Sequence, residues 1–394
     1  ASNLFAATSR RPVVRLLTGS TPARRREEIL SATADGGVDL LIGTHALIQD
    51  SVTFARLGVA IVDEQHRFGV HQRKKLRAKG GAGTNGGARM DGGGGGAEQT
   101  GGEPDILVMT ATPIPRTLAV TIYGDLDVSI LDELPSGRKP IHTTIGVGEE
   151  GRQGAYRLIR SEVAAGRQAF VVYALREDSE LTELRSAKAE AVRLASEVFP
   201  DLQVGLVHGD LASAEKEAAM TAFRDGATQV LVATTVVEVG VDVPNASVML
   251  IEDAERFGLA QLHQLRGRIG RGRHSSHCVL VTNLPPERAE EEPAVALAFD
   301  RLEAVASTAD GFKLALEDLR YRGEGELFGA RQSGMPQLKM ARVLEHQDVV
   351  AMARRLAVSL LRDDPEVTHF ANINLGREMR SRWGAGELDV VQSG

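Results

Sequence analysis

"TQVLVATTVVEVGVDVPNASVMLIED", Thr228–Asp253, is the stretch on which the fold turns. Its two ends, "TQVLVATT" (228–235) and "ASVMLIED" (246–253), are apolar and β-branched at successive positions, not only at alternate ones. A strand with one wet face alternates. A strand apolar throughout is buried on both faces, the condition of a parallel sheet with helices above and below. The same texture recurs outward in "VDLLIGT" (38–44), "GVAIVDE" (58–64), "PDILVMTAT" (104–112), "RQAFVVYAL" (167–175), "LQVGLVHGD" (202–210) and "HCVLVTN" (277–283). Helical text lies between these runs. "TPARRREEILSATADG" opens on Thr and Pro, pairs charges one turn apart and stops at Gly, and "SAEKEAAMTAFRDG" repeats that grammar. Alternation of this kind predicts an α/β chain.

At 394 residues the chain is long for one domain, since compact units run to about 100–200 residues. "DELPSGRKPIHTT" (132–144) interrupts with Pro, Ser and Gly, and past residue 285 the strand pattern gives way to helices such as "EEPAVALAFDRLEAVAS" and "LEHQDVVAMARRLAVSLLRDD". "GGAGTNGGARMDGGGGGAEQTGG" (80–102) brings almost no side chains to bury, so a flexible insertion is expected there. It is not a phosphate-binding loop, because no Lys-Ser/Thr follows the glycines.

No apolar run approaches the roughly 18 residues of a membrane helix, and the start lacks the layout of a secretory signal. A soluble, cytoplasmic protein with no membrane partner is expected. The single cysteine, Cys278, excludes an internal disulfide framework and an all-cysteine metal site, and its apolar run marks it as a core residue. A net charge of −7 argues against a uniformly basic coat. Arginines cluster at 24–26, 266–273 and 320–331, which confines any nucleic-acid contact to a face.

The chemistry begins at "AIVDEQHRFG", an apolar strand ending in Asp63 and Glu64. Parallel sheets bind ligands beyond the carboxyl ends of their strands. An Asp there holds Mg²⁺, and a neighbouring Glu orients and deprotonates a water that attacks a γ-phosphate. Two acids alone would be read as a solvated strand end; Gln65, His66 and the later clusters reverse that. In "MTATPIPRT", Thr110, Ala111 and Thr112 follow a buried strand with small residues able to relay the state of the acidic motif, and two prolines stiffen the exit. In "VATTVVEVGVDVPNAS", Thr234 and Thr235 end a strand, Gly240 allows close backbone approach, and Asp242 is placed for a ribose hydroxyl or an arginine. In "RFGLAQLHQLRGRIGRG", Gln264, Arg268 and Arg271 are spaced to share one helix face and project toward phosphate charge, with Gly267, Gly270 and Gly272 permitting tight packing. The acids and the guanidinium groups are expected to converge on one triphosphate.

"DEQH", "TAT", "ATTVVEVGVDVP" and "QLHQLRGRIGRG", in this order, resemble motifs II, III, V and VI of superfamily 2 helicases. "MTATPIPRTLAVTIYGDLDVSILDELPSGRKPI", "GLAQLHQLRGRIGRG" and "DGFKLALEDLRYRGEGELFGARQSG" are similar to the RecG family, over residues 13–360. That resemblance implies two RecA-like parallel-sheet domains, the first incomplete, followed by a helical extension. The implied domains are residues 1–137, 138–284, 285–345 (a helical hairpin and translocation motif) and 346–394 (a helical tail). It implies an ATP-dependent helicase or translocase remodelling stalled forks and Holliday junctions in recombination and repair. Its cofactors would be ATP and Mg²⁺. Branched double-stranded DNA and single-stranded DNA-binding protein would be its partners, and the motor would be monomeric.

Residue by residue, the resemblance implies that Asp63 and Glu64 hold Mg²⁺ and activate water, with His66 beside the nucleotide. Thr110, Ala111 and Thr112 would couple hydrolysis to movement. Arg268 and Arg271 would be arginine fingers flanked by Gln264, and Gly240 and Asp242 would lie at the nucleotide. Thr18, Gly19, Thr44 and His45 would touch the DNA backbone from the first domain; His208, Gly209 and Thr234 would do so from the second. Arg322, Gln332 and Gly334 match the translocation motif, while Glu324 stands where that motif leads one to expect proline.

The phosphate-cradling Gly-x-x-x-x-Gly-Lys-Ser/Thr appears nowhere in the chain, and neither does the amino-terminal wedge domain of the RecG family. The expectation is therefore the carboxyl-terminal part of a larger motor, unable to hydrolyse ATP alone. Two alternatives stand beside it: a transcription-repair coupling translocase like Mfd, and a catalytically incomplete DNA-binding fragment.

Overall fold

A computed structural model describes residues 11–63, 76, 79, 104–110, 128–131, 133, 139–174, 180–234, 243–322 and 346–381. The glycine-rich stretch 80–102 lies outside them, as does the stretch carrying Glu324 and Gly334. Two compact units divide the chain, one within Ala1–Ala111 and the other within Thr112–Gln392.

The second unit is built on six parallel strands: β5 (Ile141–Val147), β6 (Gln168–Tyr173), β7 (Val204–Val207), β8 (Val230–Ala233), β9 (Ala246–Glu252) and β10 (Ser276–Thr282). Their order in the sheet is β5-β10-β9-β6-β8-β7. The residues explain why both faces are covered. Along β6, Phe170 and Val172 enter one apolar core while Ala169 and Val171 enter another, and β8, β9 and β10 divide in the same way. Helices α2 (Gly148–Ala164) and α3 (Glu180–Arg193) cover the Val171 face through Tyr156, Ile159 and Ala191. Helices α4 (Ser213–Arg224), α5 (Leu259–Arg266), α6 (Pro293–Ser307) and α7 (Gly311–Arg322) cover the Phe170 face through Phe223, Leu262, Leu302 and Leu314. Phe170 and Phe223 meet with ring centroids 4.8 Å apart. Burying one such side chain contributes about 1.5–3 kcal/mol.

The glycine stops read from the sequence are real C-caps. Gly226 after α4 has φ +81°, and Gly36 after α1 (Ala23–Ala34) has φ +76°, the left-handed conformation that closes a helix. Beyond the sheet, α8 (Gln347–Asp363) is followed by a last helix at residues 373–381.

Among the described residues the first unit carries two parallel pairs, β1 (Val14–Leu17) with β2 (Leu40–Gly43) and β3 (Val59–Val62) with β4 (Asp105–Val108). Here the expectation of strands covered on both faces does not hold. Leu17 packs with Ile29 of α1 and Val52, and Ala60 and Val62 pack with Leu76. The opposite faces stay open, with Leu16 60% and Ile61 62% exposed.

Two strands also differ from the sequence reading. β5 begins within "DELPSGRKPIHTT" (132–144), where an interruption is expected, and runs on to Val147, and β1 lies where no strand is expected. Among the described residues β5 is an edge strand paired with β10, and its residues alternate in exposure, so it lacks the continuous apolar signature of the strands inside the sheet.

Candidate functional site

Within each unit, the described site residues outside the arginine segment and Arg322 follow the carboxyl ends of parallel strands. Asp63 directly follows β3 and Thr110 follows β4 by two residues; the strands are in register at Val62 and Val108, and Met109 N–H donates to the Val62 carbonyl at 2.7 Å. The acidic motif and the start of the Thr-Ala-Thr motif are therefore neighbours, both exposed. An exposed carboxylate at such a tip fits a hard, oxygen-seeking cation. Glu64, His66, Ala111 and Thr112 lie outside the described residues.

The same logic joins Thr18 and Gly19 to Thr44. β1 and β2 are in register at Leu17 and Gly43, so these residues leave adjacent strand tips, with Gly19 and Thr44 exposed. Thr18 Oγ1 shares hydrogen bonds with Ser20 and Thr21, forming a hydroxyl-rich turn. His45 opens a short 3₁₀ helix, His45–Ile48.

In the second unit, His208 and Gly209 follow β7 and Thr234 follows β8, again at neighbouring tips. Thr234 N–H donates to the Val207 carbonyl. His208 departs from the surface position expected of a DNA contact: the residue is 3% exposed, and among the described residues neither ring nitrogen has a hydrogen-bond partner. Burial holds its pKa below the ordinary histidine value, with Lys188 acting in the same direction. Thr234 is likewise buried, whereas the Gly209 backbone is exposed. Gly240, Asp242 and Gln332 lie outside the described residues, and Arg322 ends α7.

The arginine segment corrects one expectation. Gln264, Arg268 and Arg271 do not share a helix face, because α5 ends at Arg266. Gly267 caps it, a tight turn follows in which Arg268 N–H donates to the Leu265 carbonyl, and Gly270 with φ +73° turns the chain again before Arg271. The glycines are needed for close approach, as expected. A Cβ at Gly270 would lie 2.9 Å from Ile141, and one at Gly272 would lie 2.2 Å from the Pro244 carbonyl oxygen. Gln264 and Arg268 are half-buried and Arg271 is exposed.

Arg266 has a different part. Only 4% exposed, it donates from Nη1 to the carbonyls of Val305 (2.6 Å) and Thr308 (2.8 Å), and its Nη2 lies 3.0 Å from His263 Nδ1. It ties α5 to the end of α6. Burial lowers its pKa from the ordinary arginine value. Spacing along the sequence gives no sign that this arginine, among its neighbours, points inward.

Against known proteins, the DEAD/DEAH box helicase family matches residues 1–121 and the helicase conserved C-terminal domain matches residues 154–273. A third family, "ATP-dependent DNA helicase RecG, domain 3, C-terminal", matches residues 308–382. Curated proteins described as ATP-dependent DNA helicase RecG are 50% identical in Synechocystis sp., over 90% of this chain and 39% of that protein, and 45% identical in Streptococcus pneumoniae, over 89% and 48%. Over about nine tenths of its length the chain is similar to the RecG family. It spans half or less of the length of these relatives. A solved structure of RecG bound to a three-way DNA junction superposes with a TM-score of 0.59 at 40% identity, covering 86% of this chain and 40% of that one. The helicase Lhr of Mycobacterium smegmatis, bound to single-stranded DNA and AMP-PNP, shares the fold at a TM-score of 0.52 and 16% identity, covering 77% of this chain and 38% of that one. These matches do not favour the Mfd-like alternative.

Proposed function

We propose that this RecG-like chain is the motor-bearing part of an ATP-dependent DNA helicase or translocase that remodels branched DNA, stalled forks and Holliday junctions, in recombination and repair. The observation that carries the reading is the concentration of the motif residues at the carboxyl tips of parallel strands, in a chain 50% identical to a RecG helicase over 90% of its length. Asp63 and Glu64 hold Mg²⁺ and Glu64 orients the attacking water; His66, Gly240 and Asp242 serve the nucleotide. Arg268 and Arg271 stabilise the charge that develops on the γ-phosphate, with Gln264 beside them. Thr110, Ala111 and Thr112 couple hydrolysis to movement. Thr18, Gly19, Thr44, His45 and Gly209 form the DNA-backbone track, reached without base contacts, with the buried Thr234 beneath it, and Arg322 and Gln332 act in the translocation motif. His208 supports that track from beneath.

The proposed domains are residues 1–137, 138–284, 285–345 and 346–394, and the motor works as a monomer in the cytoplasm, with single-stranded DNA-binding protein as a partner. No described helix is long and apolar enough to cross a membrane. Without a phosphate loop in its sequence, the chain by itself binds DNA backbone weakly and does not turn over ATP.

A chimera in which this chain replaces the segment it matches in the Synechocystis relative tests the reading. Fork DNA should stimulate its ATPase while the chain alone stays inactive. Arg271→Ala in the chimera should keep DNA binding and lose about 10³-fold in turnover, the lower end of what an arginine finger supplies. An inactive chimera, robust turnover by the chain alone, or joint loss of binding and turnover in Arg271→Ala refutes it.

A further inference from the structure

Glu252, the last residue of β9, is buried, and Arg152 near the start of α2 grips its carboxylate with three donor contacts of 3.0–3.1 Å. Arg152 Nη2 also donates to Asn283 Oδ1 at 3.1 Å, just past β10, and Asn283 Nδ2 donates to Asp253 Oδ1 at 3.0 Å. Asp253 follows Glu252 directly, so the contacts close into a ring. The ring joins β9, β10 and α2, elements that are far apart in sequence. Arg152 and Glu252 perturb each other as expected: the carboxylate raises the arginine's pKa, while burial raises that of Glu252 against the arginine's pull.

The ring encloses a backbone exception. Asp253 has φ +48° and ψ +48°, the left-handed conformation that non-glycine residues other than Asn and Asp rarely adopt. This turn launches the short 3₁₀ helix Ala254–Arg256 and, after Gly258, helix α5. At its far end α5 is tied to α6 by Arg266. Strain of this kind persists where the surroundings over-determine it, and here the surroundings are Asn283 and Arg152.

We propose that Arg152 and Asn283 are positioning residues for the arginine segment: through Asp253 they fix the turn that sets where α5, with Gln264, and the turns after it, with Arg268 and Arg271, are placed. The inference rests on the reading that those residues act on the nucleotide, but its structural half does not. The ring imposes a polarity: Asn283 must accept from Arg152 and donate to Asp253. Asn283→Asp removes the donor and sets two carboxylates face to face. In the double variant Asp253→Asn/Asn283→Asp the amide and the carboxylate trade places, so Arg152 still has its acceptor, the link to residue 253 is restored, and an amide side chain also tolerates the left-handed backbone.

Amide hydrogen exchange on this chain reads the turn directly. Asn283→Asp should speed exchange across residues 254–266 by about tenfold, and the double variant should return it to the wild-type rate. In the chimera, Asn283→Asp should lower kcat for DNA-stimulated ATP hydrolysis by about tenfold to a hundredfold with little change in KM, since slight misplacement of a catalytic group has that effect, and the double variant should recover it to within about threefold. Unchanged exchange in Asn283→Asp, or no recovery in a double variant that melts at the wild-type temperature, overturns the proposal. Recovery of exchange without recovery of kcat overturns its catalytic half. A wild-type chimera with no ATPase defeats the functional reading and leaves the exchange experiment to decide the turn.

Discussion

Replacing Arg266 with alanine should unseat the second unit more than any other single change in the arginine segment. The guanidinium makes two short bonds, to the carbonyls of Val305 and Thr308 at the end of α6, from a position 4% exposed. A hydrogen bond to a charged group contributes about 1.5–3 kcal/mol, and a buried acceptor left bare costs a similar amount. Two such bonds set a ceiling of about 6 kcal/mol. Relief from burying the charge works against this, since desolvation already disfavours the charged form. The balance is a loss of about 3 kcal/mol. For a unit of this size each kcal/mol moves the midpoint by about 2–4 °C, so Arg266→Ala should melt about 6–12 °C below wild type by circular dichroism. Arg266→Lys, with one ammonium in place of a forked donor, should fall between. Arg271→Ala, on an exposed residue, should move the midpoint by no more than about 2 °C. If Arg266→Ala melts within about 3 °C of wild type, the arginine does not tie α5 to α6, and the account of how the segment is anchored fails.

Two further outcomes concern buried titratable groups. His208 has a folded pKa below its usual value, so the native state binds fewer protons than the unfolded chain below about pH 6.5, and stability should fall as pH drops through that value. His208→Leu should flatten the fall in melting temperature between about pH 7.5 and 5; an unchanged slope would show that the ring is not the group responsible. The Cys278 thiol is fully buried and pushed up to about 12 by that burial, so a thiol reagent at pH about 8 should leave the folded chain unmodified and take up one equivalent on unfolding. Rapid labelling of the folded protein would contradict its place in the core.

The sheet of the second unit was legible because burial on both faces writes itself locally: β8 and β9 are apolar at consecutive positions, and no partner need be known to see it. β5 lies at the sheet edge and borders solvent, so its His and Thr residues obscure it. The arginine segment shows a different limit. Helical spacing extends on paper through Arg271, but the helix closes at Gly267 and Gly270 at positive φ turns the chain again, and a spacing argument carries no term for either. The ring around Asp253 was invisible for a third reason. Arg152 and Glu252 are 100 residues apart, and only the folded sheet brings them together. The acid and the threonine at the tips of β3 and β4 were found from sequence because each closes a readable strand.

The open strand faces of the first unit have a practical consequence. Leu16, Ile42, Val59, Ile61 and Leu107 present branched aliphatic surface to water from the interior-type strands of a parallel sheet. Every square ångström left wet forgoes about 25 cal/mol that a covering layer would return. Expressed by itself, the polypeptide therefore carries a standing drive toward self-association, which dilution or a mild detergent should relieve and sulfate should strengthen.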